Sequence, residues 1–228
     1  MRMQLKTYTE PIVAALAGYR GQLEEHPFLV AGRAGELSGD ELREFAFHQY
    51  TDSILWIPML AQMRSKAQRS RRLRKAIGDN IGHEAGLVGE SHVTLAVALM
   101  RSLGVHELAA LPVHVLAQSA ELWLGDEFAA MSEAAVAGFL LGAETLVPVM
   151  FASVLPSYAK AGADTRYFVE HVGIDTDEHS AWMEESVADV LRTYGPDAAA
   201  EIRAGLDDAW SETIDVPETM WRARCASR

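Results

Sequence analysis

From Ala134 to Leu155 the chain carries a single charged side chain, Glu144. A run this apolar reads as a helix packed inside the protein. Unless one of its faces meets solvent, the carboxylate has to be paired or put to use, because a buried charge without compensation is costly. Prolines and glycines mark where the neighbouring helices stop. The run opens near Ser132, holds Pro148 and is expected to end at Pro156.

The rest of the chain is helical in pattern. A short amphipathic segment covers about Glu10 to Leu23, and Pro27 suits a first helical turn. Ser38-Gly39-Asp40-Glu41 reads as a capping box opening a long helix to Met63, with a kink expected at Pro58. A third region runs from Gln68 to Leu103, weakened by Gly78, Gly82, Gly86 and Gly89. A looser segment with Pro112 and Gly125 follows. After the apolar run, helix is expected from Asp164 to Tyr194 and from Asp197 to Ser211, with a last piece near Trp221. Neither internal repeats nor alternating strand patterns are visible. The expectation is an all-α fold, one domain over residues 1–228 of about seven helices.

The formal charge of −12 argues against a nucleic-acid surface. Arg64 to Lys75 concentrates seven cations, most simply a solvated helix end and turn. No stretch reads as a membrane span or a signal peptide. One cysteine, Cys225, leaves no disulfide framework and fits a reducing cytoplasm.

Metal-ligand residue types recur in three apolar stretches: Glu84 and His92, then Glu144, then His171, Asp175 and His179. Hard oxygen mixed with borderline nitrogen suits iron or manganese better than calcium or a structural zinc. Spacing poses a difficulty. Residues four apart share a helix face, but over eight residues a straight helix drifts by roughly 80° and rises about 12 Å. Neither Glu84 with His92 nor His171 with His179 can ligate one ion from an ideal helix. Two ions, a π-bulge or the glycines would relieve this. His83, Glu90 and Glu178 are competing ligands, and a polar helix face with scattered histidines is the plain alternative. His26, His48, His106 and His114 read as structural, and Trp56, Trp123, Trp182 and Trp210 as packing residues.

In order and separation these pieces resemble the haem-oxygenase-like dimetal (diiron) oxidases, from about Phe45 to Trp182. They are the aromatic-polar helix FAFHQYTDSILWIPMLAQM, the N-x-x-x-E-x-G segment from Asn80 to Gly86, a following histidine, the glutamate of LLGAETLVPVM, then H-x-x-x-D and a further histidine. The resemblance implies a seven-helix bundle holding two irons, the second labile, with Glu84, His92, Glu144, His171, Asp175 and His179 as ligands. The family pattern H-x-x-x-D-x-x-H would put Glu178 at the last position; His179 with a bulge is preferred.

It further implies dioxygen as co-substrate and either C–H abstraction (desaturation, cleavage or cyclisation) or N-oxygenation. The substrate would be small, for example a free amino acid, in natural-product biosynthesis by a cytoplasmic homodimer. No catalytic residue beyond the metal ligands is implied. Such a substrate would want a cation for its carboxylate and an acceptor for its ammonium, and Asp52, Lys160 and Arg166 are the candidates. The alternatives are a metal-free thiaminase-like or quinone-forming relative, a haem oxygenase using His26, and a non-enzymatic helical scaffold.

Overall fold

The computed structural model describes residues 2–107, 126–174 and 179–226. Ten helices lie among the described residues. They are α1 (Arg2–Glu25), α2 (Pro27–Arg33), α3 (Gly39–Lys66), α4 (Arg71–Glu84), α5 (His92–Ser102), α6 (Asp126–Ala130), α7 (Glu133–Lys160), α8 (Arg166–Ile174), α9 (Ser180–Tyr194) and α10 (Ala198–Ala226). The described residues contain no strand. Three things separate this list from the expected seven: Gln68–Leu103 divides into α4 and α5, α6 forms where a looser segment was expected, and α8 and α9 lie on either side of residues 175–178, which are outside the described ones. The apolar run continues past Pro156 to Lys160. Residues 108–125 of the looser segment, with Pro112 and Gly125, lie outside the described residues.

Local chemistry sets the helix starts. Ser38 Oγ accepts from Glu41 N–H at 3.3 Å, and Glu41 Oε2 accepts from Ser38 N–H at 2.7 Å, completing the capping box. Ser70, Ser91 and Ser132 cap α4, α5 and α7, each side chain accepting from the backbone N–H three residues on. His26 caps α2, its Nδ1 accepting from Phe28 N–H at 3.3 Å. The cation-rich stretch is tied down locally. Arg69 lies over the Tyr194 ring at 4.3 Å, Lys66 donates to the Met131 carbonyl at 3.1 Å, and Arg72 pairs with Glu185.

Helix α7 is the spine. By length and composition it could cross a membrane, contrary to the expectation that no stretch would; 78% of its most apolar window is buried inside the protein, as in a core helix. It packs most closely on α10. A Cβ at Gly138 would sit 1.8 Å from the Ile202 carbonyl oxygen, and one at Gly205 would sit 1.9 Å from that of Ala135. Only glycine permits this approach of two backbones.

The core divides into two apolar clusters, and α7 serves both. Ala134 to Ala143 join the first, with Leu60, Ile77, Met183 and Leu206; Leu146 to Tyr158 join the second, with Phe45, Leu99 and Phe168. Glu144 falls at the crossing. Two other long helices change cluster at a polar stretch: α3 between Phe47 and Met59, and α10 between Ala209 and Met220. Chain direction thus brings a belt of polar residues from several helices to one level.

Candidate metal centre

The belt collects most of the candidate ligands. Glu84 ends α4 and His92 begins α5. The turn between them holds Gly86 and Gly89 at φ +77° and +83°, a left-handed conformation that glycine adopts without strain. The helix breaks, so the eight-residue spacing no longer forces the side chains apart. A Cβ on Gly86 would also lie 2.7 Å from the Ser91 nitrogen. Gly86→Ala should therefore cost at least about 2 kcal/mol. It should also weaken metal binding; denaturant melts and metal titration of the variant check both.

One ligand atom each from Glu84, His92 and His171 lies within 4.8 Å of the other two, and all three residues are buried. His92 Nδ1 is 2.7 Å from Glu84 Oε2 but off the direction a hydrogen bond requires, and it has no hydrogen-bond partner. A buried imidazole nitrogen without a partner is rare in a native fold and calls for an explanation. His171 Nδ1 donates to the Tyr167 carbonyl at 2.8 Å, which leaves the Nε2 lone pair free to ligate. The rings of His92 and His171 are 4.1 Å apart between centroids, and Phe151 stands edge-on to His171.

A second group adjoins the first. Asn80 Nδ2 donates to Glu144 Oε1 at 2.5 Å, and His179 Nδ1 to Glu144 Oε2 at 3.1 Å. His179 Nε2 then accepts from His83 Nδ1 at 3.2 Å. Glu144 is 5% exposed and His179 is fully buried. His179 directly precedes α9. Asp175 and Glu178 lie outside the described residues.

Electrostatics prepares these groups for a cation. Burial pushes the Glu84 carboxyl up to about 7, with His171 opposing and Glu144 reinforcing the rise. Burial likewise pushes His92 and His171 down to about 4, so both are neutral at physiological pH. Neutral imidazoles beside a carboxyl that ionises near neutrality form a donor set that a divalent cation would complete. Residues and group fit.

A cavity of about 110 Å³ adjoins Glu84, Glu144 and His171. Trp56, Phe139, Val147, Met150, Phe151 and Val216 give it apolar walls, and Gln49, Asp52 and Glu212 stand on its polar side. A second cleft, on the Arg20 and Arg33 side of α7, also reaches Glu144.

Of the residues expected to hold substrate, Asp52 lines the cavity. Lys160 and Arg166 do not, which corrects the expectation. Lys160 donates to the Gly35 carbonyl at the exposed end of α7 at 2.8 Å. Arg166 is paired at the surface with Asp164 and Glu90. Local carboxylates and carbonyls satisfied these cations, which charge type alone could not foresee. Asn80 and Glu212 were missed. Asn80 lies one turn before Glu84 on the same face, a signal that could have found it; Glu212 sits in an acidic helix and gave none.

Residues 42–211 match the family described as iron-containing redox enzymes, of the haem-oxygenase-like group. The chain belongs to that family. No curated protein matches it significantly. Among solved structures it is similar to a CADD-like protein of unknown function from Nostoc punctiforme PCC 73102, at 19% identity and a TM-score of 0.71, covering 97% of this chain and 99% of that one. It is also similar to a TenA homologue from Pseudomonas syringae pv. tomato DC3000, at 16% identity and a TM-score of 0.68, covering 96% and 92%. At these identities the likeness shows the fold, which is haem-oxygenase-like and all-α.

Proposed function

We propose that this iron-containing redox enzyme is a dioxygen-dependent non-haem oxidoreductase that holds two irons and acts on a small substrate in the cavity beside them. The observation that carries the proposal is the buried Glu84–His92–His171 cluster with its unpartnered imidazole nitrogen. These three would hold one ion. Glu144 and His179, with Asp175, would hold the second, exchanging their hydrogen bonds to each other, Asn80 and His83 for the metal. When bound, iron would supply dioxygen activation for attack on a C–H bond or a nitrogen.

The protein's own part is legible in its residues. The Tyr167 carbonyl fixes the His171 tautomer. Asn80 orients Glu144. Phe151, Met150 and Val147 keep the substrate side of the centre apolar and limit water. The thiol-based hydrolase alternative lacks a nucleophile here, since Cys225 is exposed and does not line the cavity.

The test is anaerobic iron(II) titration followed by oxygen exposure. Two equivalents bound and an oxygen-dependent optical change in the wild type, both lost in Glu144→Ala, are expected. No metal-dependent change, with oxygen consumption intact in the variant, would sink the proposal.

Proton release gives an independent check. Below about pH 7 the metal-free Glu84 is mostly protonated, and ligation requires the carboxylate. His92 and His171 are already neutral above about pH 5 and contribute little. Iron(II) uptake at pH 6 should release close to one proton from Glu84, falling toward none at pH 8. Calorimetry in buffers of different ionisation enthalpy measures this.

A further inference from the structure

Apart from the Glu41–Arg224 ion pair at 3.4 Å, two buried side-chain atoms lack a hydrogen-bond partner among the described residues. One is His92 Nδ1, which the first ion would engage. The other is Asn80 Oδ1, which the ligand sets leave unused. Asn80 is fully buried on α4, one turn before Glu84. A buried carbonyl oxygen is normally bonded, because without a partner it loses its hydration and gains nothing in exchange.

Chemistry fixes which way this amide points. Its Nδ2 stands 2.5 Å from Glu144 Oε1. Exchanging the two ends of the amide would set a carbonyl oxygen against a carboxylate oxygen, two acceptors with no proton between them. The donor end therefore faces Glu144, and the acceptor end is the one left over. Donors around Glu144 are committed elsewhere. His179 Nδ1 bonds the other Glu144 oxygen, His83 Nδ1 bonds His179 Nε2, and Ser180 Oγ bonds the Glu144 main-chain carbonyl at 3.1 Å. Nitrogen and oxygen of the amide share one carbon. An ion taken up by Glu144 thus comes within reach of the same group that steadies Glu144 in the metal-free protein.

We propose that Asn80 belongs to the site of the second ion: its side-chain carbonyl gives a neutral oxygen to the ion held by Glu144 and His179, directly or through one water that the ion carries. This rests on the two-ion reading of the centre and adds a positioning residue to it. The two atoms without partners then divide between the two halves of the centre, His92 Nδ1 for the first ion and Asn80 Oδ1 for the second. A carboxylate ligand is itself normally held by a hydrogen bond, which the donor end of the same amide provides.

Asn80 is the only asparagine in the chain, so asparagine carrying 13C at the side-chain carbonyl places a single reporter in the protein. The test follows that carbonyl by infrared difference spectroscopy while the full chain is titrated anaerobically with iron(II), with affinities from calorimetry. Its stretch should hold steady over the first equivalent and fall in frequency over the second, as the oxygen gains an electropositive partner. Manganese(II) in place of iron separates the two arms: strong 13C hyperfine coupling marks direct contact and weak coupling marks contact through water, and either supports the proposal. Asn80→Ala should weaken the second equivalent about 10–100-fold, the scale of a lost outer-shell partner, and leave the first within about threefold. Asn80→Asp keeps an acceptor oxygen and loses the donor to Glu144. It should hold the second ion at least as tightly as the wild type.

A carbonyl stretch that does not move while two irons bind would overturn the proposal and leave the two-ion reading intact. So would a folded Asn80→Ala protein with wild-type affinity for the second iron. Asn80→Asp as weak as Asn80→Ala would reduce the residue to a donor for Glu144 and overturn it too. A wild-type protein that takes up fewer than two irons would strike the two-ion reading itself, and this inference with it.

Discussion

Alanine in place of His171 should lower iron(II) affinity more than 100-fold and abolish oxygen-dependent turnover. Loss of an outer-shell partner alone typically costs 10–100-fold, and His171 is itself a candidate ligand. Its ring is held from three sides: by the Tyr167 carbonyl at Nδ1, by the neighbouring His92 ring, and by Phe151 edge-on. That support makes Nε2 a preoriented donor, and truncation removes donor and orientation together. The metal-free variant should still fold, because Phe168 on the same helix remains in the second apolar cluster. Iron content by metal analysis, beside circular dichroism of the metal-free protein, checks the prediction. A folded His171→Ala protein with wild-type iron affinity would show that the cluster does not bind metal.

The second large effect concerns the scaffold. Gly138→Ala should destabilise the protein by about 3 kcal/mol, at the upper end for overpacking. For a chain of this size that lowers the melting temperature by about 10 °C. The reason is the 1.8 Å approach of the added Cβ to the Ile202 carbonyl oxygen, a backbone atom that no rotamer change can move aside. Gly205→Ala should behave alike against Ala135. Separating α7 from α10 also pulls Glu144 away from Glu212, so the same variants should bind cavity ligands more weakly. By contrast, alanine at Gly18 meets nothing within 4 Å and should leave the melting temperature the same or higher. Differential scanning calorimetry of the three variants distinguishes a specific helix contact from a general intolerance of alanine.

Much of this was open to reading in the amino-acid order. The lone charge of the apolar run marked Glu144, and the mixed oxygen and nitrogen donors marked Glu84, His92, His171 and His179. The helical pattern was visible because hydrophobic periodicity and capping serines are local. What stayed hidden depended on chain breaks and on distance. Four glycines between Gln68 and Leu103 signalled weakness, but not that Gly86 and Gly89 would stop one helix after Glu84 and let another start at His92. Lys160 and Arg166 have the right charge for a substrate anchor, yet the Gly35 carbonyl that holds Lys160 and the Glu90 that pairs with Arg166 lie far away in the sequence, and Asp164 beside Arg166 completes its pairing. Glu212 resembles the solvated acids beside it, and only the meeting of α3 with α10 reveals that it faces a cavity. Asn80 was quoted as a motif position, but its bond to Glu144 joins residues 64 apart.

The Gly86–Gly89 turn also bears on how the molecule holds together. Glu84 and His92 are neighbours across a short loop, whose closure entropy is small, whereas His171 arrives from a remote part of the chain. An ion gripped by all three would act as a cross-link between a local hairpin of helices and a distant strut. Chelation should then be felt first as loosening of α8 against α4 and α5, well before the spine of the bundle gives way.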